Sequence, residues 1–460
     1  MNMGRRLSRA WPPPGSSKRR VPMTFVLPVG GRYVLRQARV LGRMLPQPIP
    51  SVDFDGFALV DILVDNGVIA KVIPAGVDDF DEVPEVAMSG RIVLPLFVDV
   101  HTHLDKGHIW RRRRNPAGDF PSAVAATVED RSANWSAADV AARMELSLRC
   151  AYAHGTTAVR THIDSVGPQT RISWPVLAEA RERWLGRIDL QASPLFTIDH
   201  MANPAHVADI EAMLDAYGSG ILGAAIRMEP DLRDGLRILF ELAERKGWEL
   251  DFHVDESSDP AARSLKVIAD VAIERRFARP ILVGHCCSLA LQDVDERRRT
   301  IDAVARTGLS VVSLPMCNMF LQDRQAGRTP RWRGVTALQE LKHAGVNVMI
   351  ASDNTRDPFY PYGDLDMMEV WREGVRILHL DYPFADWAEA VSGSPAKAMG
   401  LDLGVLQPGA PADMILTRAR DFTELLARPQ SDRIVVRNGE ASNAKPPDYA
   451  ELDALEDLAP

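Results

Sequence analysis

Apolar residues in this chain follow two rhythms. Between residues 94 and 353, short unbroken apolar runs alternate with longer stretches in which apolar positions recur every three or four residues. The runs read as buried strands and the stretches as amphipathic helices. Strands are predicted where Phe97, Val98 and Val100 lead into His101, and over Thr156–His162, Ile188–Pro194, Ile221–Ile226, Leu250–Val254, Pro280–His285, Ser310–Leu314 and Val346–Asp353. Helices are predicted over Ala137–His154, Trp174–Leu185, Ala205–Tyr217, Leu232–Lys246, Pro260–Arg275, Ile301–Thr307 and Val335–Ala344. Eight strands alternating with helix-like segments over roughly 250–300 residues are the arithmetic of a (β/α)8 barrel of the TIM type.

A different pattern flanks this region. Tyr33–Val40, Ala58–Asp65 and Val68–Ile73 are strand-like, with Asn66-Gly67 as a hairpin turn between the last two. Ala412–Thr417 and Arg433–Arg437 are strand-like at the far end, with a second turn at Asn438-Gly439. The two flanks are therefore expected to pair with each other beside the barrel. The first 22 residues differ again: they hold six basic residues, Pro12-Pro13-Pro14 and no acid, and lack the apolar core of a secretory signal. They read as a disordered tail.

Composition narrows the function. A chain of 460 residues is long for one core, 46% hydrophobic and 25% charged residues are ordinary globular values, and no apolar run is long enough to span a bilayer. The net charge of −8 argues against nucleic acid as the main partner. Cys150, Cys286, Cys287 and Cys317 have neither zinc-finger nor disulfide-framework spacing, so a cytoplasmic protein with reduced thiols is expected.

Chemistry collects at the strand ends, where barrel active sites are built. His101 and His103 are two apart on one strand, so both side chains leave the same face. His162, His253 and His285 stand at the ends of three other predicted strands, and Asp353 ends the eighth. His101, His103, His253 and Asp353 make a coherent set for one zinc or iron(II) ion that keeps a position open for water. Glu256, three residues past His253, is placed to take that water's proton and hand it to a leaving nitrogen. His285 is placed to hold the attacking hydroxide or polarise the reacting carbon. Two-metal barrels of this design carry a carbamylated lysine on the fourth strand. Residues 221–230 contain no lysine, which favours a single ion.

With these residues in place, the chain resembles the amidohydrolase superfamily, and within it the cytosine deaminase-like branch. The motifs that carry the resemblance are Phe97-Val-Asp-Val-His-Thr-His-Leu-Asp105, Val159-Arg-Thr-His-Ile-Asp164, Asp251-Phe-His-Val-Asp-Glu256, Gly284-His285 and Ala351-Ser-Asp-Asn-Thr-Arg-Asp-Pro-Phe-Tyr-Pro361, closed by Gly404-Val-Leu-Gln-Pro-Gly-Ala-Pro-Ala-Asp413. The resemblance implies a (β/α)8 catalytic barrel over residues 94–402 and a composite β-sandwich from residues 23–93 and 403–445. It implies His101, His103, His253 and Asp353 as metal ligands, Glu256 as proton shuttle, His285 beside substrate, and Asp353 as ligand and proton acceptor. Thr197 stands where cytosine deaminases read the pyrimidine edge with a glutamine, since Gln191 lies too early in its strand. Asn354 replaces a common carboxylate, and Phe359 and Tyr360 are placed to stack on a flat ring.

The implied reaction is hydrolytic deamination of an amino-substituted N-heterocycle, with cytosine leading and isocytosine, a pterin, creatinine and an aminotriazine as alternatives. Amide or alkylamine hydrolysis on the same metal is the rival reaction, and a non-catalytic scaffold the rival class. The expected partners are the small heterocycle and water, with no nucleic acid and no membrane, and with homo-oligomerisation open. The arginine run Arg111–Arg114 reads as a solvated loop, with the pocket mouth as its alternative.

Overall fold

The computed structural model describes residues 26–28, 31–47, 49 and 52–456. The predicted tail, residues 1–22, lies outside them.

Eight parallel strands form the catalytic region: β1 (Phe97–Thr102), β2 (Thr156–Asp164), β3 (Asp189–Leu195), β4 (Ile221–Ile226), β5 (Glu249–Val254), β6 (Ile281–His285), β7 (Ser310–Ser313) and β8 (Val348–Ile350). They pair in sequence order as two arcs, β1 to β3 and β4 to β8. Single bridges join the arcs at both seams. Ala225 N–H donates to Phe196 O at 2.7 Å beside the Thr197–Ala225 bridge, and Asp353 N–H donates to His101 O at 2.9 Å beside the Thr102–Asp353 bridge. Every residue of β1 and β6 is buried, as continuous apolar runs require of strands covered on both faces.

The helices follow from pattern and caps. Leu232–Lys246 buries Leu232, Leu236, Leu239, Phe240, Leu242 and Ala243 on one face and ends at Gly247 with φ 70°. Ala137–His154 starts at Ser136, whose side chain accepts from Asp139 N–H, and ends at Gly155 with φ 97°. Both ranges match the sequence reading. Val335–Ala344 shortens to a helix over Leu338–His343, and the eighth strand shortens to Val348–Ile350.

The flanks pair into two four-stranded sheets. One orders Val68–Pro74, Phe57–Asp65, Arg32–Leu41 and Glu85–Ala87; the other orders Glu440–Ala441, Ile434–Arg437, Met414–Leu416 and Val93–Pro95. The second mixes the two ends of the chain, because Val93–Pro95 pairs antiparallel with Met414–Leu416. Among the described residues, no helix is long and apolar enough to cross a membrane.

One helix was not legible in the sequence. Phe120–Asn134 is inserted between β1 and Ala137–His154, and its N-cap Asp119 accepts from Ser122 N–H at 2.9 Å. Its apolar residues Phe120, Val124 and Val128 face a cavity, and Phe120 also packs against the core. Arg112 anchors it. The Arg112 side chain is only 2% exposed and forks between the buried carboxylates of Asp130 and Asp139, with Nε to Asp130 Oδ1 at 2.9 Å and Nη1 to Asp139 Oδ1 at 2.6 Å. Trp135 Nε1 donates to the same Asp130 at 2.7 Å. None of Arg111–Arg114 lines the cavity, and Arg112 is not solvated either. Breaking a buried pair strands its partner charges, so Arg112→Leu is expected to cost about 3–5 kcal/mol of stability, read as a lowered urea midpoint. A loss below about 1 kcal/mol would show that the cluster contributes little.

Candidate metal centre and its cavity

The strand ends bring five imidazoles into one cluster. Ring centroids of His101 and His162 lie 4.0 Å apart, His101 and His253 4.5 Å, His103 and His253 5.2 Å, and His253 and His285 5.1 Å. His101 Nε2 is 3.6 Å and His103 Nε2 3.3 Å from Asp353 Oδ1, and His253 Nε2 is 3.3 Å from His103 Nε2. Bonds of 2.0–2.1 Å to a tetrahedral ion put neighbouring ligand atoms about 3.3–3.4 Å apart. The four residues selected from sequence therefore stand at ligand spacing along these three edges.

The polar accounting agrees. Both oxygens of Asp353 and both ring nitrogens of His101 are buried without a hydrogen-bond partner, as are Nδ1 of His103 and His253. Native cores rarely tolerate so many orphans in one place. Burial is the largest cause holding His101, His103 and His253 well below the ordinary imidazole value, so each is neutral with a lone pair to give. Burial likewise pushes the Asp353 carboxyl up to about 7. Every shift runs toward the neutral form, and a divalent cation among these atoms reverses it for the aspartate. The donor set fits a zinc or iron(II) ion.

Two of the groups sit on strained backbone. His285 and Asp353 have φ of 69° and 62°, and Asp255, next to Glu256, has φ of 49°. Left-handed non-glycine residues at strand ends turn side chains inward that a regular strand would aim elsewhere, and such strain gathers at functional sites. Gly284 serves the same cluster. A Cβ there would stand 2.8 Å from His101 Cε1.

Glu256 and His285 are joined by a residue to which the sequence assigned no role. Asn318 Nδ2 lies 3.1 Å from Glu256 Oε1 and 2.9 Å from His285 Nδ1. An amide N–H donates only, so His285 accepts at Nδ1 and carries its proton on Nε2. Burial, followed by the Asp353 charge, raises the Glu256 carboxyl well above its ordinary value. His162 turns its Nε2 to Asp251 Oδ1 at 3.1 Å, and Asp251 also accepts from Arg160 Nη1 at 3.2 Å. That fifth histidine is thus held by a polar layer beneath the cluster. Gln191 belongs to the same layer, bound to Arg160 and to Met399 O at 2.9 Å.

A cavity of about 710 Å3 opens over the cluster. His103, His253, His285, Asp353 and Glu256 line it, while His101 lies beneath its floor. Thr197, Asn354 and Phe359 also line it. The Thr197 hydroxyl is 3.0 Å from His200 Nδ1, and Asn354 Nδ2 donates to Asp357 Oδ2 at 2.6 Å. Tyr360 is buried and does not line the cavity. The aromatic wall is Phe359 and Phe120, edge to face at 5.6 Å, with Arg227 stacked 5.4 Å from the Phe120 ring.

Comparison with known proteins agrees with this geometry. The model of the amidohydrolase family matches residues 177–441. The chain is 51% identical over 434 residues to a pterin deaminase of Rhizobium rhizogenes, covering 93% of this chain and 98% of that protein. It is 24% identical over 291 residues to the N-isopropylammelide isopropyl amidohydrolase of a Pseudomonas species, covering 62% and 68%. The fold superposes on 5-methylcytosine deaminase from Klebsiella pneumoniae with a TM-score of 0.77 at 24% identity, over 90% of this chain and 98% of that one.

Outer groups that shape a metal site are typically worth 10–100-fold in metal affinity. Gly284→Ala is therefore expected to weaken zinc binding at least tenfold in competition with a chromogenic chelator, while the circular dichroism spectrum stays unchanged. Unaltered affinity would mean that His101 is not a ligand or has room to move.

Proposed function

The chain belongs to the amidohydrolase family and is a hydrolytic deaminase of an N-heterocycle, and we propose that its substrate is a pterin. The observation that carries this reading is the pterin deaminase relative, 51% identical along almost its whole length. Cavity size supports it. About 710 Å3 walled by Phe120 and Phe359 suits a bicyclic ring better than a single pyrimidine ring. The preference therefore moves from cytosine, which led on sequence grounds, to the pterin among its alternatives.

His101, His103, His253 and Asp353 would hold one divalent ion, zinc or iron(II). An ion held there would supply a nucleophile by letting a water ionise near neutral pH. The chain's own residues do the rest. Glu256 is buried and protonatable, so it takes the proton released by the water and gives it to the ring nitrogen beside C2. C2 gains the water oxygen and then loses its amino group. Glu256 relays a second proton to that group, which departs as ammonia. Asn318 keeps the Glu256 carboxylate and the His285 ring in register, so His285 Nε2–H points its proton toward the reacting centre. Phe359 and Phe120, edge to face with each other, wall the ring and keep water off it.

The test is ammonia release from pterin, cytosine, isocytosine, creatinine and an aminotriazine by metal-loaded protein. Pterin is expected to have the highest kcat/KM, and a higher value for any other ring would reassign the substrate. Glu256→Gln is expected to lower kcat on the preferred ring by about 10²–10⁴-fold with metal content unchanged. Full activity in that variant would remove Glu256 from the chemistry.

A further inference from the structure

The deamination scheme leaves one buried cation of the cavity without a role. Lys106 is only 4% exposed, yet it lines the cavity beside His103 and Phe359. Its ammonium stands 5.6 Å from the centroid of the Phe359 ring. It is also held in direction. Lys106 Nζ lies 2.8 Å from Asp164 Oδ1, Arg131 Nη1 donates to the other Asp164 oxygen at 2.7 Å, and Asp164 N–H donates to Asp105 Oδ2 at 2.8 Å. Asp164 itself is buried, and it ends β2.

This arrangement differs from an ordinary structural ion pair. Two cations, Lys106 and Arg131, share the Asp164 carboxylate, and the carboxyls of Asp105 and Asp357 act on the ammonium only from a distance. An ammonium has three N–H donors and no acceptor. Asp164 takes one, and among the described residues no second carboxylate pairs with Lys106. A buried donor without an acceptor is costly, so the remaining N–H groups call for an acceptor inside the cavity. Position adds a second constraint. Lys106 and Asp164 belong to the β1–β2 side of the ring, whereas Glu256 follows β5 across the cavity. A ring whose amino-bearing carbon faces Glu256 and the histidine cluster lies between the two. Pterin has one exocyclic acceptor, the 4-oxygen, two ring atoms from C2. In the tautomer that carries its ring proton on N1, attack on the C2=N3 amidine displaces charge onto N3, and the adjacent carbonyl shares it with that oxygen.

We propose that Lys106 is a substrate-binding residue that donates a hydrogen bond to the ring carbonyl oxygen, with Asp164 and Arg131 as the positioning residues that aim it. The inference rests on the pterin reading. It adds that the enzyme recognises a 2-amino-4-oxo ring by its carbonyl as well as by its amidine.

The experiment compares pterin with 2-aminopteridine, which has hydrogen in place of the 4-oxygen. Both are titrated by fluorescence into zinc-loaded Glu256→Gln protein with Lys106 intact and with Lys106→Met added. Lys106→Met is expected to weaken pterin about 10–100-fold, the worth of a hydrogen bond to a charged group, and 2-aminopteridine less than threefold. Zinc content should be unchanged. Equal weakening of both ligands, or no weakening of pterin, would overturn the assignment. If Lys106→Met does not fold, Lys106→Arg is read by the same ratio: a retained preference for pterin supports the donor role and a lost one overturns it. Asp164→Asn should reproduce part of the lost preference. The substrate screen is separate. If wild-type protein prefers another ring, the pterin reading fails, and Lys106 is judged on that ring and its deoxo analogue.

Discussion

Four lone-pair donors are pressed together in the interior with no proton to share. His101 with His103, His253 and Asp353 come from three strand ends far apart in sequence, and along three edges their donor atoms approach to 3.3–3.6 Å. Without a positive charge among them, each is driven toward its neutral form and several atoms lack any partner. One divalent cation meets all of these needs at once. Other features follow from it. Gly284 has no side chain because His101 occupies the space. The backbone kinks left-handed at His285 and Asp353 because a regular strand would not deliver those groups to one point.

Much of this was legible in the sequence for one reason. Strands of a closed parallel ring are buried on both faces, so they appear as unbroken apolar runs, and whatever polar residue ends such a run faces the site. That reasoning reached Ile221–Ile226 and both helices Ala137–His154 and Leu232–Lys246 without error, and it placed every proposed ligand at a strand end. It did not reach three features in and around the cavity. Phe120–Asn134 was missed because its apolar side faces a ligand space, which blurs the usual amphipathic stripe. Lys106 and Arg112 were missed because a basic residue in a loop reads as solvated, and only the fold shows the buried carboxylates that neutralise them. Asn318 lies on the short helix Pro315–Leu321 after β7, and nothing in the sequence reveals that its one amide touches both Glu256 and His285.

The cavity divides its labour. Reactive groups sit on the ring of strands, whose register is fixed by hydrogen bonds on both sides. Shape and polarity of the space come from the strand-to-helix connections: after β1 through Lys106 and Phe120, after β3 and β4 through Thr197 and Arg227, and after β8 through Asn354 and Phe359. Loops can change without disturbing the reactive core, which is how a pterin deaminase and enzymes acting on other rings come to share so much architecture.

The seam between β1 and β8 carries the backbone bond Asp353 N–H to His101 O, backed by side chains: the Thr102 hydroxyl donates to Asp353 O at 2.8 Å and Ser352 N–H donates to Asp99 Oδ1 at 3.2 Å. The proposed ligands stand on both sides of it, two on β1 and its end and one just past β8. A bound ion would therefore be a cross-link as well as a reagent, closing a loop of roughly 250 residues that loop entropy alone makes slow and costly to shut. The fourth ligand follows the last strand of the ring, so the ring can be fastened only when all eight of its strands have left the ribosome. Affinity for the ion and completion of the fold then become one thermodynamic quantity.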